Sequence, residues 1–202
     1  MKLYYSPGAC SLSPHIVASE AGIPLELEKV DLASHKTEGG QDFLGINPKG
    51  YVPTLRLDDG SVLTEGPAIV QYLADQKPAT GLAPAAGTIE RYRLQEWLTF
   101  IGTEVHKNFG TLFNKASSDD AKQTAKTNIA KRLGYLNEQL AERPFLLGST
   151  FTVADAYAFT IVNWTNFVGI DLKPYPHVGA YMARVGARPK VQETLRAEGL
   201  LK

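Results

Sequence analysis

Cysteine is nearly missing from this chain of 202 residues, which holds Cys10 alone. One thiol cannot close an intramolecular disulfide. His15, His35, His106 and His177 are scattered, so no Cys/His spacing resembles a zinc site and no metal is expected. Net charge is missing as well: 21 Lys+Arg stand against 21 Asp+Glu, without a basic run. Counterion release then has little to act on, which excludes a dedicated nucleic-acid binder. Long apolar runs are also absent. The opening Met1-Lys2-Leu3-Tyr4-Tyr5-Ser6 meets Pro7 and Gly8 before a signal-peptide core can form, and no apolar stretch reaches about 18 residues. Neither export nor a membrane span is expected, and a thiol kept reduced fits the cytoplasm.

What is present is an ordinary globular composition, 44% hydrophobic and 21% charged, long enough for two compact domains. Over the first 75 residues short strand and helix signals alternate. Leu3, Tyr4 and Tyr5 form a strand that stops at Ser6-Pro7-Gly8, and a helix follows from about Ser11 to Ala21, ended by Gly22 and Pro24. Leu25 to Leu32 suggests a second strand, and Phe43, Leu44 and Ile46 a brief helix before Asn47-Pro48. Leu55 and Leu57, the turn Asp58-Asp59-Gly60, and Val62-Leu63 read as a hairpin. Glu65-Gly66-Pro67 then opens a helix. The order β-α-β-α-β-β-α is that of a thioredoxin-like α/β domain, although periodicity does not exclude another small α/β arrangement.

Residues 79–87 are rich in Gly and Pro and read as a linker between a domain over 1–78 and an all-α helical bundle over 88–202. Leu94, Trp97, Leu98, Ile101 and Val105 recur at helical spacing, as do Ile129, Leu133, Leu136 and Leu140. Between Thr152 and Val168 almost no polar face remains, which predicts a helix at the centre of the bundle. Thr152 and Asp155 form its capping box, with no chemistry assigned.

Cys10 is the sharpest chemical feature. Its place at the start of the first helix favours an anion, so a thiolate is expected, against the alternative of a small buried apolar side chain. Cys10-Ser11-Leu12-Ser13 resembles a C-x-x-C redox motif with Ser13 in place of the second cysteine. Redox turnover would therefore pass through a mixed disulfide with an external thiol such as glutathione. Val52-Pro53 is either a plain turn or a cis pair offering its backbone to an extended peptide. Glu65-Gly66 is either a helix cap or the receptor of an α-amino-acid end, carboxylate to ammonium and amides to carboxylate. On a regular helix Thr99, Thr103 and His106 fall within about a 60° arc, opposite the apolar stripe and flanked by Glu104 and Lys107. That strip is either a solvated face or a second wall for the ligand.

MKLYYSPGACSLSPHIV, FLGINPKGYVPTL, LTEGPAIVQYLAD, EVHK and FTVADAY, in that order, are similar to bacterial beta-class glutathione S-transferases essentially end to end. The resemblance implies a thioredoxin-like N-terminal domain, an all-helical C-terminal domain, a homodimer, and glutathione in the cleft between domains. It places Cys10 against the glutathione sulfur, Val52 before a cis Pro53 against the cysteinyl backbone, and Glu65-Gly66 at the γ-glutamyl end. His106 is placed near the thiol, and Thr99, Thr103, Glu104 and Lys107 along the site. The family's usual Lys at position 35 is His35 here and its usual Asn at position 99 is Thr99, so Lys36 is a second candidate for the cation facing the glycyl carboxylate.

The implied activity is conjugation of the glutathione thiolate to small electrophilic, hydrophobic compounds, with Cys10 and His106 as the catalytic pair and Cys10 able to form a mixed disulfide with glutathione. The alternatives are a glutathione-dependent thiol-disulfide reductase or dehalogenase centred on Cys10, and a non-catalytic ligand-binding protein using Tyr4, Tyr5, Phe109 and Phe113.

Overall fold

The computed structural model describes Met1–Leu201. By density of internal contacts the chain forms two units, Met1–Ala83 together with the chain from Arg188 on, and Pro84–Ala187.

The first unit is built on a five-stranded sheet. β1 (Lys2–Tyr5) is followed by α1 (Leu12–Ala21) and β2 (Glu26–Asp31), then β3 (Lys36–Thr37), a 3-10 turn at Phe43–Gly45, the hairpin β4 (Thr54–Arg56) and β5 (Val62–Thr64), and α2 (Gly66–Asp75). The strand order is β3-β2-β1-β4-β5. β1 and β2 are parallel, joined through α1, and the other pairs are antiparallel. Leu3 and Leu55, paired across β1 and β4, are both fully buried. Leu12, Ile16 and Val17 of α1 and Ile69, Val70 and Leu73 of α2 are likewise without exposed surface, and the two helices pack on each other. α1 ends where Gly22 turns left-handed at φ 64, a conformation glycine takes without steric cost. The two-residue β3 gave no sequence signal, because it is polar and defined only by its pairing with Val30 and Asp31.

The helical signals after the linker are present, with one redistribution. α9 (Pro189–Ala197) packs on α1, so the last helix of the segment read as one domain over 88–202 belongs with the first unit. Val191 and Thr194 are buried there, and the Arg188 guanidinium forks onto Glu20 with bonds of 2.7 and 2.9 Å. These partners lie 168 residues apart, a separation that helical periodicity does not register.

In the second unit α3 (Ile89–Phe100) runs through a π-helical turn at Ile101–His106 into α4 (Lys107–Phe113). α5 (Asp119–Gln139) starts at Ser118, whose hydroxyl accepts the Ala121 N–H. α6 (Val153–Asn163) is followed by the single turn α7 (Thr165–Val168) and by α8 (Pro176–Gly186). Every residue from Val153 to Val162 is buried, as the missing polar face predicts, but the helix expected to run on to Val168 ends at Asn163, and Phe167 beyond it is exposed. The Asp155 carboxylate ties this helix in. Its Oδ2 accepts the Thr152 N–H at 2.9 Å and the Thr152 hydroxyl at 3.1 Å, and its Oδ1 accepts the Leu146 N–H at 2.9 Å and the Tyr181 hydroxyl at 3.2 Å.

Candidate functional site

Two clusters hold the candidate residues, one in each unit. In the first, the loop between β1 and α1 carries Cys10 just ahead of Ser11, which precedes the first helical residue Leu12. Ser11 braces this loop by accepting the Ser6 N–H at 3.1 Å and donating to the Ser6 carbonyl at 3.2 Å. Ser13 donates to the Cys10 carbonyl at 2.8 Å, so the hydroxyl at the C-x-x-S position is spent on the backbone. From the far end of the chain Glu198, whose side chain has no exposed surface, accepts the Gly8 N–H at 2.9 Å and bonds His15 Nδ1 at 2.8 Å. Glu198→Ala removes a fully buried acceptor from the Gly8 N–H and a partner from His15, and is expected to cost about 1–3 kcal/mol. Urea denaturation checks this: an unchanged midpoint would show that the Cys10 loop does not depend on the carboxylate.

The thiol itself departs from expectation. Cys10 Sγ donates to the Val52 carbonyl at 3.1 Å. Burial pushes its pKa up to about 12, the Glu65 charge adds to the rise, and the backbone amides of Cys10 and Ser11 only partly oppose it. By exposed surface Cys10 is only partly buried, yet desolvation of its sulfur favours the protonated thiol over the thiolate that the helix start suggested. Desolvation outweighs the amides.

Val52-Pro53 is cis, and Val52 packs with Tyr4, Val30 and Phe43. Glu65 stands at the entrance to α2 with φ 71, and Gly66 is the first residue of that helix. Its Oε1 accepts from Lys49 Nζ and from the Tyr51 hydroxyl, the latter at 2.9 Å. Lys49 also donates to Thr64 at 3.0 Å. The Lys49 pKa is raised, first by its bond to Glu65, and that of Tyr51 is raised first by burial. His35 is the other non-glycine residue with positive φ among the described residues, at 51. Its Nδ1 is buried without a partner, and the ring lies so close to Gly50 that a Cβ there would meet His35 Cε1 at 3.1 Å. Lys36 is exposed on β3.

In the second unit the π-helical turn changes the expected strip. A regular wheel groups Thr99, Thr103 and His106. A π turn holds more residues than an α turn, so that spacing does not carry through Ile101–His106. Thr99 and Thr103 are exposed, with the Thr103 hydroxyl on the Thr99 carbonyl at 3.0 Å. Glu104 pairs with Arg132 of α5, and Lys107 is exposed. His106 is half-buried and faces α6, with Nδ1 2.7 Å from the Tyr157 hydroxyl and its ring edge-on to Trp164 at 4.8 Å. Phe109 and Phe113 pack on the same Trp164. Of the four aromatics considered as ligand lining, Tyr4 and Phe109 are fully buried, Tyr5 is partly covered, and Phe113 is exposed. Burial makes Tyr4 and Phe109 core residues.

Lys49, Tyr51, Tyr157, Trp164 and Glu198 were not singled out by sequence. Lys49 and Tyr51 lie within FLGINPKGYVPTL and Tyr157 closes FTVADAY, so those three sat inside recognisable segments. Trp164 and Glu198 carried no such mark.

Comparison with known proteins bears on both units. Residues 8–76 match the model of the glutathione S-transferase N-terminal domain, and residues 100–189 that of the C-terminal domain. Glutathione S-transferase GstA of Escherichia coli O157:H7 is 46% identical, over 99% of this chain and all of its own length. The solved structure of a sphingomonad glutathione S-transferase complexed with glutathione is 52% identical, at a TM-score of 0.96 over 99% of this chain and 100% of that one. A bacterial beta-class glutathione S-transferase of Sphingomonas chungbukensis is also 52% identical, at a TM-score of 0.97 over 100% of both chains. Sequence and fold together make this chain a member of the glutathione S-transferase family, on its bacterial beta-class branch.

Proposed function

We propose that the chain binds glutathione through Cys10, His35, Val52, Pro53, Glu65 and Gly66, with Thr99, Thr103, Glu104, His106 and Lys107 contributing from the helical unit. It conjugates the glutathione thiolate to small electrophilic hydrophobic compounds, acting as a cytoplasmic homodimer. The observation that carries the reading is backbone strain: among the described residues the non-glycine positive-φ positions are His35 and Glu65, both in this set. Such conformations cost about 1–3 kcal/mol each and persist where function requires them. Glu65 stands at the entrance to α2 with no side-chain bond capping that helix, so a carboxylate and the helix's first amides come from one turn of chain, a combination that suits the ammonium and carboxylate of a γ-glutamyl group.

Catalysis follows from charge placement. The glutathione thiol loses its proton to solvent, hydrogen-bond donors hold the resulting thiolate, and the sulfur attacks an electrophilic carbon whose leaving group departs with the bonding pair. His106 supplies one donor. Cys10 touches the sulfur as a neutral thiol, so conjugation, rather than turnover through a Cys10 disulfide, is the activity its raised pKa favours.

Calorimetric titration with glutathione tests the binding half. Glu65→Ala removes a charge-assisted partner of the ammonium and is expected to weaken binding about 10- to 100-fold, the equivalent of roughly 1.5–3 kcal/mol. Equal affinity in both proteins would refute the assignment of Glu65.

A further inference from the structure

FTVADAY ends in a residue that helix capping does not use. Tyr157 lies on α6, is almost completely buried, and directs its hydroxyl to His106 Nδ1 at 2.7 Å. On the facing helix the π-helical turn spans Ile101–His106, and Gly102 within it lies beside the Tyr157 hydroxyl. The imidazole is further confined by the edge-on ring of Trp164.

The direction of the bond follows from acidity. A phenol is a far stronger acid than a neutral imidazole N–H, and an imidazole nitrogen is a far stronger base than a phenol oxygen. The O–H therefore donates to Nδ1. A neutral imidazole carries one proton, so accepting at Nδ1 leaves that proton on Nε2. The charged groups around this turn are Glu104, paired with Arg132 of α5, and the exposed Lys107.

We infer that Tyr157 is a positioning residue for conjugation, holding the His106 ring in place with its proton on Nε2 so that Nε2–H is the donor offered to the glutathione sulfur. The inference rests on the reading of His106 as the partner of that sulfur. No bond is made or broken by Tyr157. It selects between two tautomers of one side chain.

The test is Tyr157→Phe, which keeps the ring and deletes the hydroxyl. Nitrogen-15 NMR of histidine-labelled protein, with the His106 signals assigned through His106→Gln, reads the tautomer without any turnover. Wild type is expected to show the Nε2–H form, and Tyr157→Phe a mixture with Nδ1–H. Conjugation of a generic aryl halide is then expected to lose about tenfold in kcat with glutathione KM held within about twofold, and the thiolate absorbance of bound glutathione to move about one pH unit higher. His106 spectra that coincide in the two proteins would overturn the role of Tyr157. A tautomer that changes while kcat and the thiolate titration do not would instead remove His106 from the thiol and leave its bond to Tyr157 standing.

Discussion

Asp155→Ala is expected to destabilise the protein by about 3–5 kcal/mol and to lower its melting temperature by roughly 10 °C, the largest effect of any single substitution considered. Four donors converge on this buried carboxylate: the N–H groups of Leu146 and Thr152 and the hydroxyls of Thr152 and Tyr181. Removing the acceptor takes the carboxylate from all four in a buried site; the Tyr181 hydroxyl keeps the Asp155 backbone carbonyl at 3.1 Å, and buried groups that lose their partner cost more than the net worth of the bonds they lose. Three separate pieces of chain would be loosened together: the segment before α6, α6 itself and α8.

Asp155 also sets a pH dependence. Burial raises its pKa from 3.8 to about 6 against the opposing effect of its hydrogen bonds. A carboxyl raised on folding contributes stability that is fully present below about pH 4 and is lost as pH rises through about 6. Asp155→Asn should erase this component while retaining part of the packing. Urea denaturation of wild type and Asp155→Asn between pH 4 and 7 checks the sign: a wild type that gains stability relative to the variant as pH rises through 6 would contradict it.

The same residue shows what the sequence could and could not display. Thr152 and Asp155 were legible as a helix start because capping is local, decided within three residues. The reach of Asp155 to Tyr181, 26 residues on, was not. The order of elements was readable, and two pairings follow from it, since a parallel pair needs the crossover that α1 provides and the hairpin needs only its turn. β3 was not, because two polar residues joined by backbone pairing leave no periodic trace. α9 was recognisable as a helix but not as a neighbour of α1, whose contacts with it span most of the chain. At the candidate site the segments around Cys10, Val52-Pro53, Glu65 and His106 stood out as motifs. Their electrostatics did not. Helical arithmetic assumed a constant turn and failed at Ile101–His106, and a helix-start argument for Cys10 counted the amides without the burial.

That last point yields the largest kinetic prediction. A free cysteine at pH 8, with a pKa near 8.5, is about one quarter thiolate, whereas a thiol at about 12 is ionised only to about one part in ten thousand. Alkylation of Cys10 by iodoacetamide at pH 8 is therefore expected to be on the order of a thousandfold slower in the folded protein than in the same chain unfolded in guanidinium, where one thiol per chain should react at the ordinary rate. The bond to the Val52 carbonyl adds to the protection, because the proton must leave an acceptor as well as the sulfur. Two consequences separate the enzymatic readings. If Cys10 is inert in this way, Cys10→Ala should retain most aryl-halide conjugation, since the attacking sulfur is that of glutathione and the cysteine is a neutral neighbour. If Cys10 in the folded protein alkylates at the unfolded rate, and Cys10→Ala loses disulfide exchange and conjugation together, the thiol carries turnover and the neutral Cys10 is refuted. The outcome depends on whether burial or the helix start governs one sulfur atom, and the structure places burial first.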